Sequence, residues 1–144
     1  MTRIDFYILA AGGTSEALQF SCRLAEKAWR SGHRVLLHCA DQAAAAELDT
    51  LLWNHRADSF LPHSLDANSD EAIAICHSGS GAAAWGEHCD VLINTAPQLP
   101  QGFSQFKRLA EVVSPQADNL QASRQRYSFY KHRGYPLHNH PVSL

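Results

Sequence analysis

The sequence predicts an α/β fold, a single-domain three-layer sandwich around a mostly parallel sheet. Two observations predict it. Short runs of β-branched and aromatic residues alternate with longer segments in which apolar residues recur every three or four positions. The chain has 144 residues, 45% of them hydrophobic and 18% charged, which suits one domain with one packed core.

The first predicted strand and helix occupy the amino-terminal end of the chain. Residues 3–9 have the composition of a strand, and the glycines at 12–13 break it. Thr14 or Ser15 can cap the following helix by accepting a hydrogen bond from a free backbone N–H. Apolar residues at spacings of three and four predict that this helix continues to about Arg30.

Residues 33–39 predict a second strand, and their continuous apolar centre indicates burial on both faces of the sheet. Asp41 can cap a helix over residues 42–53. The residues of this helix that we expect to face inward are Ala44, Leu48, Leu51 and Leu52.

The rest of the chain repeats these two patterns. Polar or small residues at 64–70 and 78–86 predict surface loops. We expect strands at 72–76, 90–94 and 111–113, a short helix at 103–109, and a terminal helix at 117–133 that Gly134 ends.

The last thirty residues differ in charge from the rest of the chain. They contain four Lys or Arg and one acid, whereas the first 114 residues contain eight Lys or Arg and thirteen acids. The net charge of −2 is too small for nucleic-acid binding by the whole surface, so any recognition of an anion must be local.

The terminal helix carries the strongest binding hypothesis. Arg124, Tyr127 and Lys131 lie at i, i+3 and i+7, so they share one face. A guanidinium can hold a carboxylate by two hydrogen bonds while a nearby tyrosine contacts an aromatic ring. The alternative is a solvated helix whose cations suit the negative end of its dipole. The residues expected to line an adjacent face are Arg126, Tyr130 and Arg133.

The four cysteines, at positions 22, 39, 76 and 89, form no C-x-x-C pair. Wide, irregular spacing favours buried, reduced thiols over a metal site or a disulfide framework. The amino terminus lacks the apolar stretch of a signal peptide, and no run approaches the length that spans a bilayer. We therefore expect a cytoplasmic protein without contact with a membrane.

Three features that resemble catalytic or cofactor sites have simpler explanations. The glycines at 12–13 precede a helix, but the spaced glycines of a dinucleotide site and the Gly-Lys-Ser/Thr of a P-loop are absent. The Ser-Gly-Ser-Gly run at 78–81 lacks the spacing of a nucleophile elbow. His138 and His140 cannot complete a metal site alone, and we interpret them as part of a frayed tail. We expect no catalytic residue, metal or cofactor.

A possible interface follows the second helix. Trp53 ends that helix, and a polar turn leads to Phe60 and a proline. Large aromatic residues flanked by polar ones often anchor protein interfaces. From chemistry alone, this interpretation and the folding of both rings back onto the core remain equally open.

Six segments together resemble the chi subunit of the bacterial DNA polymerase III clamp-loader complex. The last of them has the pattern Arg-x-Arg-Tyr-x-x-Tyr-Lys-x-x-Gly, and the combination covers nearly the whole chain in the order of the family. The matching segments are residues 5–9, 22–29, 32–35, 48–53, 58–63 and 124–134.

The resemblance implies a Rossmann-like, nucleotide-binding-like fold without nucleotide or catalysis. It implies an adaptor that binds the psi subunit on one side and the acidic C-terminal tail of single-stranded DNA-binding protein (SSB), ending in Pro-Phe, on another. A repair helicase is a further partner by the same resemblance, and contact with DNA is indirect. The psi contacts of the family correspond to Trp53 and Phe60.

The family's tail-binding arginine corresponds to Arg124, and a further tail contact falls near Ser114. Ser114 and Gln121 both depart from the family pattern, which carries an apolar residue and, in some members, a lysine; weaker tail binding would follow. The remaining tail contacts implied are Arg126, Tyr127, Tyr130 and Lys131. The rival functions are a small nucleotide-dependent enzyme on the same scaffold and direct binding of nucleic acid by the terminal helix.

Overall fold

The computed structural model describes residues 1–55, 61–65, 71–77 and 88–143. Seven parallel strands form one sheet in this part of the chain, in the order β3-β4-β2-β5-β6-β1-β7. The predicted α/β sandwich is therefore confirmed. The strands are β1 (Arg3–Leu9), β2 (Val35–Cys39), β3 (His63–Ser64), β4 (Ile73–His77), β5 (Val91–Asn94), β6 (Arg108–Val113) and β7 (Leu137–Val142).

Three α-helices in the described residues cover the sheet: α1 (Thr14–Arg30), α2 (Gln42–Asn54) and α3 (Ala117–His132). The first two follow connections that run toward β3, whereas α3 connects β6 to β7 in the opposite direction. Right-handed crossovers in opposite directions put their helices on opposite faces. The α1 and α2 helices therefore share one face, and α3 covers the other.

The two faces bury different side chains. Under α1 and α2 the core is mainly aliphatic, with Leu18, Leu48 and Leu52 packed against the sheet. Under α3 it is rich in aromatic rings, and Tyr130 of α3 is fully buried among them. All five residues of β2 are buried, as the continuous apolar run predicts for a central strand.

The cap of α2 is confirmed, because the Asp41 carboxylate accepts a hydrogen bond from the Ala44 N–H at 2.8 Å. The predicted cap of α1 is wrong. Gly13 occupies the N-cap position, and no side chain bonds the free N–H groups there. Thr14 and Ser15 instead lie within the first turn.

Two other predictions near the carboxyl end are corrected by the pairing of strands in the sheet. The helix expected at 103–109 is a 3-10 turn over Phe103–Gln105, and β6 already begins at Arg108 because it pairs with β1 and β5. The expected frayed tail is the edge strand β7, which pairs with β1. Its Pro141 removes a donor N–H, which an edge strand tolerates.

Cys22, Cys39 and Cys76 are buried free thiols, as predicted, and burial raises the pKa of Cys22 and of Cys39 to about 12. Cys89 is exposed, so the prediction of burial is wrong there. Among the described residues, no helix combines the length and apolar character needed to span a membrane.

Candidate functional site

A row of polar side chains crosses the centre of the sheet on the face that α3 covers. His38 of β2 is in register with Asn94 of β5, which is in register with Glu111 of β6. All three side chains are buried. The His38 Nδ1 lies 2.8 Å from the Asn94 Oδ1, and the Asn94 Nδ2 donates to the Glu111 Oε1 at 2.8 Å.

Helix α3 supplies the partners of the second carboxylate oxygen of Glu111. The Arg126 Nε donates to the Glu111 Oε2 at 3.1 Å, and the Tyr130 hydroxyl donates to the same oxygen at 2.5 Å. Arg126 also donates from Nη1 to the Pro97 carbonyl at 2.7 Å. Every oxygen of this buried carboxylate is therefore bonded, which offsets the cost of removing its charge from water.

Burial sets the protonation of the groups around Glu111. Burial, with the negative charge of Glu111 beside it, raises the pKa of the Tyr130 hydroxyl, which stays protonated and donates. Burial lowers the pKa of His38, which keeps its imidazole neutral. Asn94 accepts at its Oδ1, so the bonding proton of His38 is on Nδ1.

The predicted tail-binding residues of α3 fall into two groups, one buried and one exposed. Neighbours two positions apart on an α-helix are separated by about 200°. Arg126 and Tyr130 face Glu111 and are buried, so the expectation that they line an exposed face is wrong. Arg124 and Lys131 are exposed on a different side of α3, and half-buried Tyr127 between them contacts the ring of Phe6 at 5.3 Å.

We call Arg124, Tyr127 and Lys131 the α3 stripe. Neither cation of the stripe has a carboxylate of the described residues within 4 Å. Arg133, the remaining cation of this helix end, lies over the ring of Phe129 at 4.7 Å. The charges of Arg124 and Lys131 in the α3 stripe therefore remain available to a partner.

A pocket of about 230 Å³ lies where the carboxyl ends of the strands meet the amino ends of α1 and α3. Ser114 and Arg126 both line it, and the Ser114 hydroxyl accepts a hydrogen bond from the Asn119 side chain at 2.5 Å. We call it the Ser114 pocket. Its apolar walls include Ala17, Ala96, Pro97 and Val113.

Trp53 lies on the other side of the molecule, at the end of α2. It is 55% exposed, and its ring packs edge-on against His63 at 4.8 Å between centroids. The alternative in which Trp53 folds back onto the core does not hold. Phe60 lies outside the described residues, so its predicted role stays a prediction.

The glycine turn that resembles a phosphate-binding site lies against side chains of the protein. A Cβ added to Gly12 would lie 2.7 Å from the side chain of Glu16, and one added to Gly13 would lie 3.1 Å from that of Gln116. An acidic side chain against this turn disfavours a phosphate there. Residues 78–81 lie outside the described part of the chain.

One of the two histidines on the edge strand, His140, contacts other side chains of the protein. The His140 Nε2 lies 2.8 Å from the Asp5 carboxylate, and its ring stacks on Tyr7 at 4.7 Å. His138 is exposed on the same strand. Within the described residues no three His, Cys, Asp or Glu side chains are grouped as metal ligands would be.

Sequence reasoning missed His38, Asn94 and Glu111 as a unit. A signal was present, because each is a polar residue within or at the end of a run of apolar strand residues. Such residues are buried in a central strand, and a buried polar group requires a partner. Which partner each one finds depends on the order and register of the strands.

Comparison with known proteins gives one consistent result. The family model described as DNA polymerase III chi subunit, HolC, matches residues 1–138. The DNA polymerase III subunit chi of Pseudomonas aeruginosa is 44% identical over 140 residues, covering 97% of this chain and 96% of that protein. The proteins of the same name from Escherichia coli and Haemophilus influenzae are 32% and 31% identical, over 95% and 92% of this chain and 96% and 92% of their own lengths.

Proposed function

Because the chain belongs to the DNA polymerase III chi subunit family, we propose that it is a non-catalytic adaptor in the cytoplasm. It links the clamp loader, through the psi subunit, to the C-terminal tail of SSB. Membership of the family makes it a replication accessory subunit, and the two named partners are the proposed step beyond that. DNA is reached only through these partners, and a repair helicase is a further one.

The separation of two exposed candidate surfaces carries the proposal. Trp53 extends from α2 on one side of the sheet, whereas Arg124 and Lys131 extend from α3 on the other. A protein can connect two partners only when they do not compete for one surface. An exposed tryptophan suits an apolar partner, and two exposed cations suit an acidic one.

The α3 stripe is the proposed site for the acidic part of the SSB tail. The aspartates of the SSB tail pair with Arg124 and Lys131, beside the ring of Tyr127. Arg126 and Tyr130 act indirectly, since their bonds to Glu111 hold α3 on the sheet. Exposed ion pairs contribute only about 0–1 kcal/mol each, so charge alone gives weak binding.

The Ser114 pocket is the proposed site for the terminal phenylalanine of the tail. Part of its wall is apolar and suits a phenyl ring, namely Ala17, Ala96, Pro97 and Val113. The route from the α3 stripe crosses the exposed side of the helix, past Gln121. Half the circumference of a helix is roughly 16–19 Å and the five residues from Asn119 to Arg124 add about 8 Å along its axis, a path of about 20 Å that six extended residues span. One tail can therefore reach both places.

Trp53 is the proposed anchor for psi, together with Phe60. A tryptophan that remains 55% exposed leaves a large apolar area in contact with water. A partner that covers this area gains the free energy of its burial. The repair helicase is proposed to use the same side of the molecule, where it would compete with psi.

The decisive experiment compares two substitutions against two partners. Arg124→Ala should weaken binding of a synthetic SSB-tail peptide by about fivefold or more while leaving psi binding unchanged. Trp53→Ala should have the reverse effect. Arg133→Ala is the matched control, because Arg133 is an exposed cation of the same helix end outside the α3 stripe. Both affinities are measured by isothermal titration calorimetry.

Equal loss of both partners in either variant would point to misfolding and would contradict separate sites. A tail peptide without its last phenylalanine tests the Ser114 pocket, and we expect it to bind more weakly than the complete tail. Binding should also weaken as salt is added, because the ion pairs are solvent-exposed. An affinity independent of salt would contradict the role of the α3 stripe.

A further inference from the structure

A second, larger cavity lies under α1, on the face of the sheet opposite α3. Its volume is about 450 Å³, within the range of small-molecule sites, and its floor is apolar. It belongs neither to the α3 stripe nor to the Ser114 pocket, since none of their residues lines it. The apolar residues of its lining are Tyr7, Phe20, Leu24, Ala28, Val91, Ile93 and Ala110.

The rim of this cavity is basic although the protein as a whole is acidic. Four of the twelve Lys and Arg residues line it, with one of the fourteen acids. That acid, Asp90, already accepts from the backbone N–H of Arg34 at 3.0 Å and pairs with Lys107 at 3.4 Å. The cavity therefore presents positive charge that its own acid does not neutralise.

Two of the cations have no balancing anion among the residues that the structure describes. Arg23 and Lys27 lie one turn apart on α1, and neither has a carboxylate of the described residues within 4 Å. Like charges at this spacing repel each other in a helix. The dipole at the end of α1 compensates Lys27 in the last turn but not Arg23, which lies further inside.

Polar groups inside the cavity also suit an anion. The Tyr7 hydroxyl accepts from the Arg108 Nη2 at 2.8 Å, which leaves its own proton to donate. Arg108 is held in turn by the buried Asp5 carboxylate at 2.7 Å. The guanidinium of Arg23 lies 5.8 Å from the centre of the Phe20 ring, so charge and apolar surface occur side by side.

We propose that this cavity binds an amphipathic organic anion, a small molecule with an aromatic or aliphatic body and one acidic group. The body packs against Phe20, Leu24 and Ile93. The carboxylate, phosphate or sulfonate meets Arg23 and Lys27 at the rim. Binding removes the repulsion between the two cations and covers apolar surface at the same time.

The test titrates the full chain with 8-anilinonaphthalene-1-sulfonate and follows backbone amide signals by NMR. We expect the largest shifts in residues 20–28 of α1 and at Val91 and Ala110. Arg23→Ala and Lys27→Ala should each lower the affinity for the probe by three- to tenfold. Arg30→Ala, an exposed cation on the same helix outside the cavity, should leave its affinity unchanged.

A matched ligand separates charge from apolar contact. N-Phenyl-1-naphthylamine has the same ring body without the sulfonate, and we expect it to bind at least fivefold more weakly. Ala28→Leu fills the cavity and should abolish binding of both, with thermal unfolding used to confirm that the variant folds.

Shifts confined to Ser114, Asn119 and Arg126 would overturn the proposal, since the probe would then occupy the Ser114 pocket. Equal affinities in Lys27→Ala and Arg30→Ala would overturn it as well. The SSB-tail peptide should bind equally well with the probe present. Because this cavity and the α3 stripe share no residue, failure here leaves the adaptor proposal standing.

Discussion

The two faces of the sheet are held to their helices by different physics. Under α1 and α2, aliphatic side chains such as Leu18, Leu48 and Leu52 pack into a core whose contacts have no required direction. Under α3, an aromatic-rich core also contains one buried carboxylate, Glu111, which receives hydrogen bonds from Arg126 and Tyr130. The first arrangement tolerates small shifts, whereas the second requires one geometry. The helix that carries the proposed SSB contacts is thus the one with the stricter placement.

Removing the carboxylate should break the α3 side most severely. Glu111→Ala leaves Arg126 buried without its anion, and we expect a loss of about 3–5 kcal/mol in the free energy of unfolding. Leu48→Ala, on the opposite face, should lose about 2–5 kcal/mol through a cavity. Urea unfolding followed by circular dichroism measures both.

A second substitution distinguishes the two causes. Adding Arg126→Met to Glu111→Ala removes the unpaired charge and should recover part of the lost stability. No substitution of another charged residue should rescue Leu48→Ala. A loss below about 1 kcal/mol for Glu111→Ala would mean that the ion pair does not hold α3.

Acid should destabilise the fold through buried histidines before it protonates most carboxylates. Burial, with Arg34 nearby, lowers the pKa of His88 to about 4 from its ordinary 6.5. The unfolded chain therefore binds a proton that the folded chain does not between about pH 6.5 and pH 4. Stability falls as pH decreases through that window, by up to about 1.4 kcal/mol per pH unit, on the order of 3 kcal/mol in all.

Urea unfolding at pH 7, 6, 5 and 4 measures this slope. His88→Asn should reduce it, while the same change at the exposed His132 should not. His38 lies in the row under α3 and its pKa is lowered in the same direction, so a smaller slope should persist in His88→Asn. A free energy of unfolding that stays constant from pH 7 to pH 4 would contradict the burial of His88 and His38 in the neutral form.

Deleting a single hydroxyl tests the directional contact alone. Tyr130→Phe keeps the ring packed edge-on against Phe103 but removes the donor to Glu111, which retains Arg126 and Asn94. Hydrogen bonds to charged groups contribute about 1.5–3 kcal/mol, and we expect a loss of that size in chemical unfolding. Tyr127→Phe is the control. A similar loss of stability in that variant would mean that the hydrogen bond from Tyr130 to Glu111 is not what stabilises the fold.

The smallest expected effect concerns the helices on the aliphatic side. Asp41→Ala removes the cap of α2 and should cost about 1 kcal/mol. Ser15→Ala should change stability by less than about 0.5 kcal/mol, since α1 is capped by Gly13 without a side-chain bond. Thermal unfolding compares the stabilities of the two variants. Equal losses would indicate that Ser15 caps α1, as the sequence predicts.

Local patterns predicted most of the fold but less of the candidate site. The stripe of α1 and the apolar run of β2 are visible in sequence because their periods follow from burial. The sequence predicts that the tail carrying His138 and His140 is frayed. It is a strand because the free edge of β1 offers unpaired backbone groups.

The order of residues determined where helices and strands form, that the basic charges gather at α3, and that the chain resembles the chi family. Spacing within one helix put Arg124, Tyr127 and Lys131 on one side by itself. The tertiary structure decided which cations remain available, since Arg126 becomes buried only because strand register carries Glu111 beneath α3. Helical periodicity is a property of neighbours in sequence, whereas a buried ion pair depends on residues that only folding brings together.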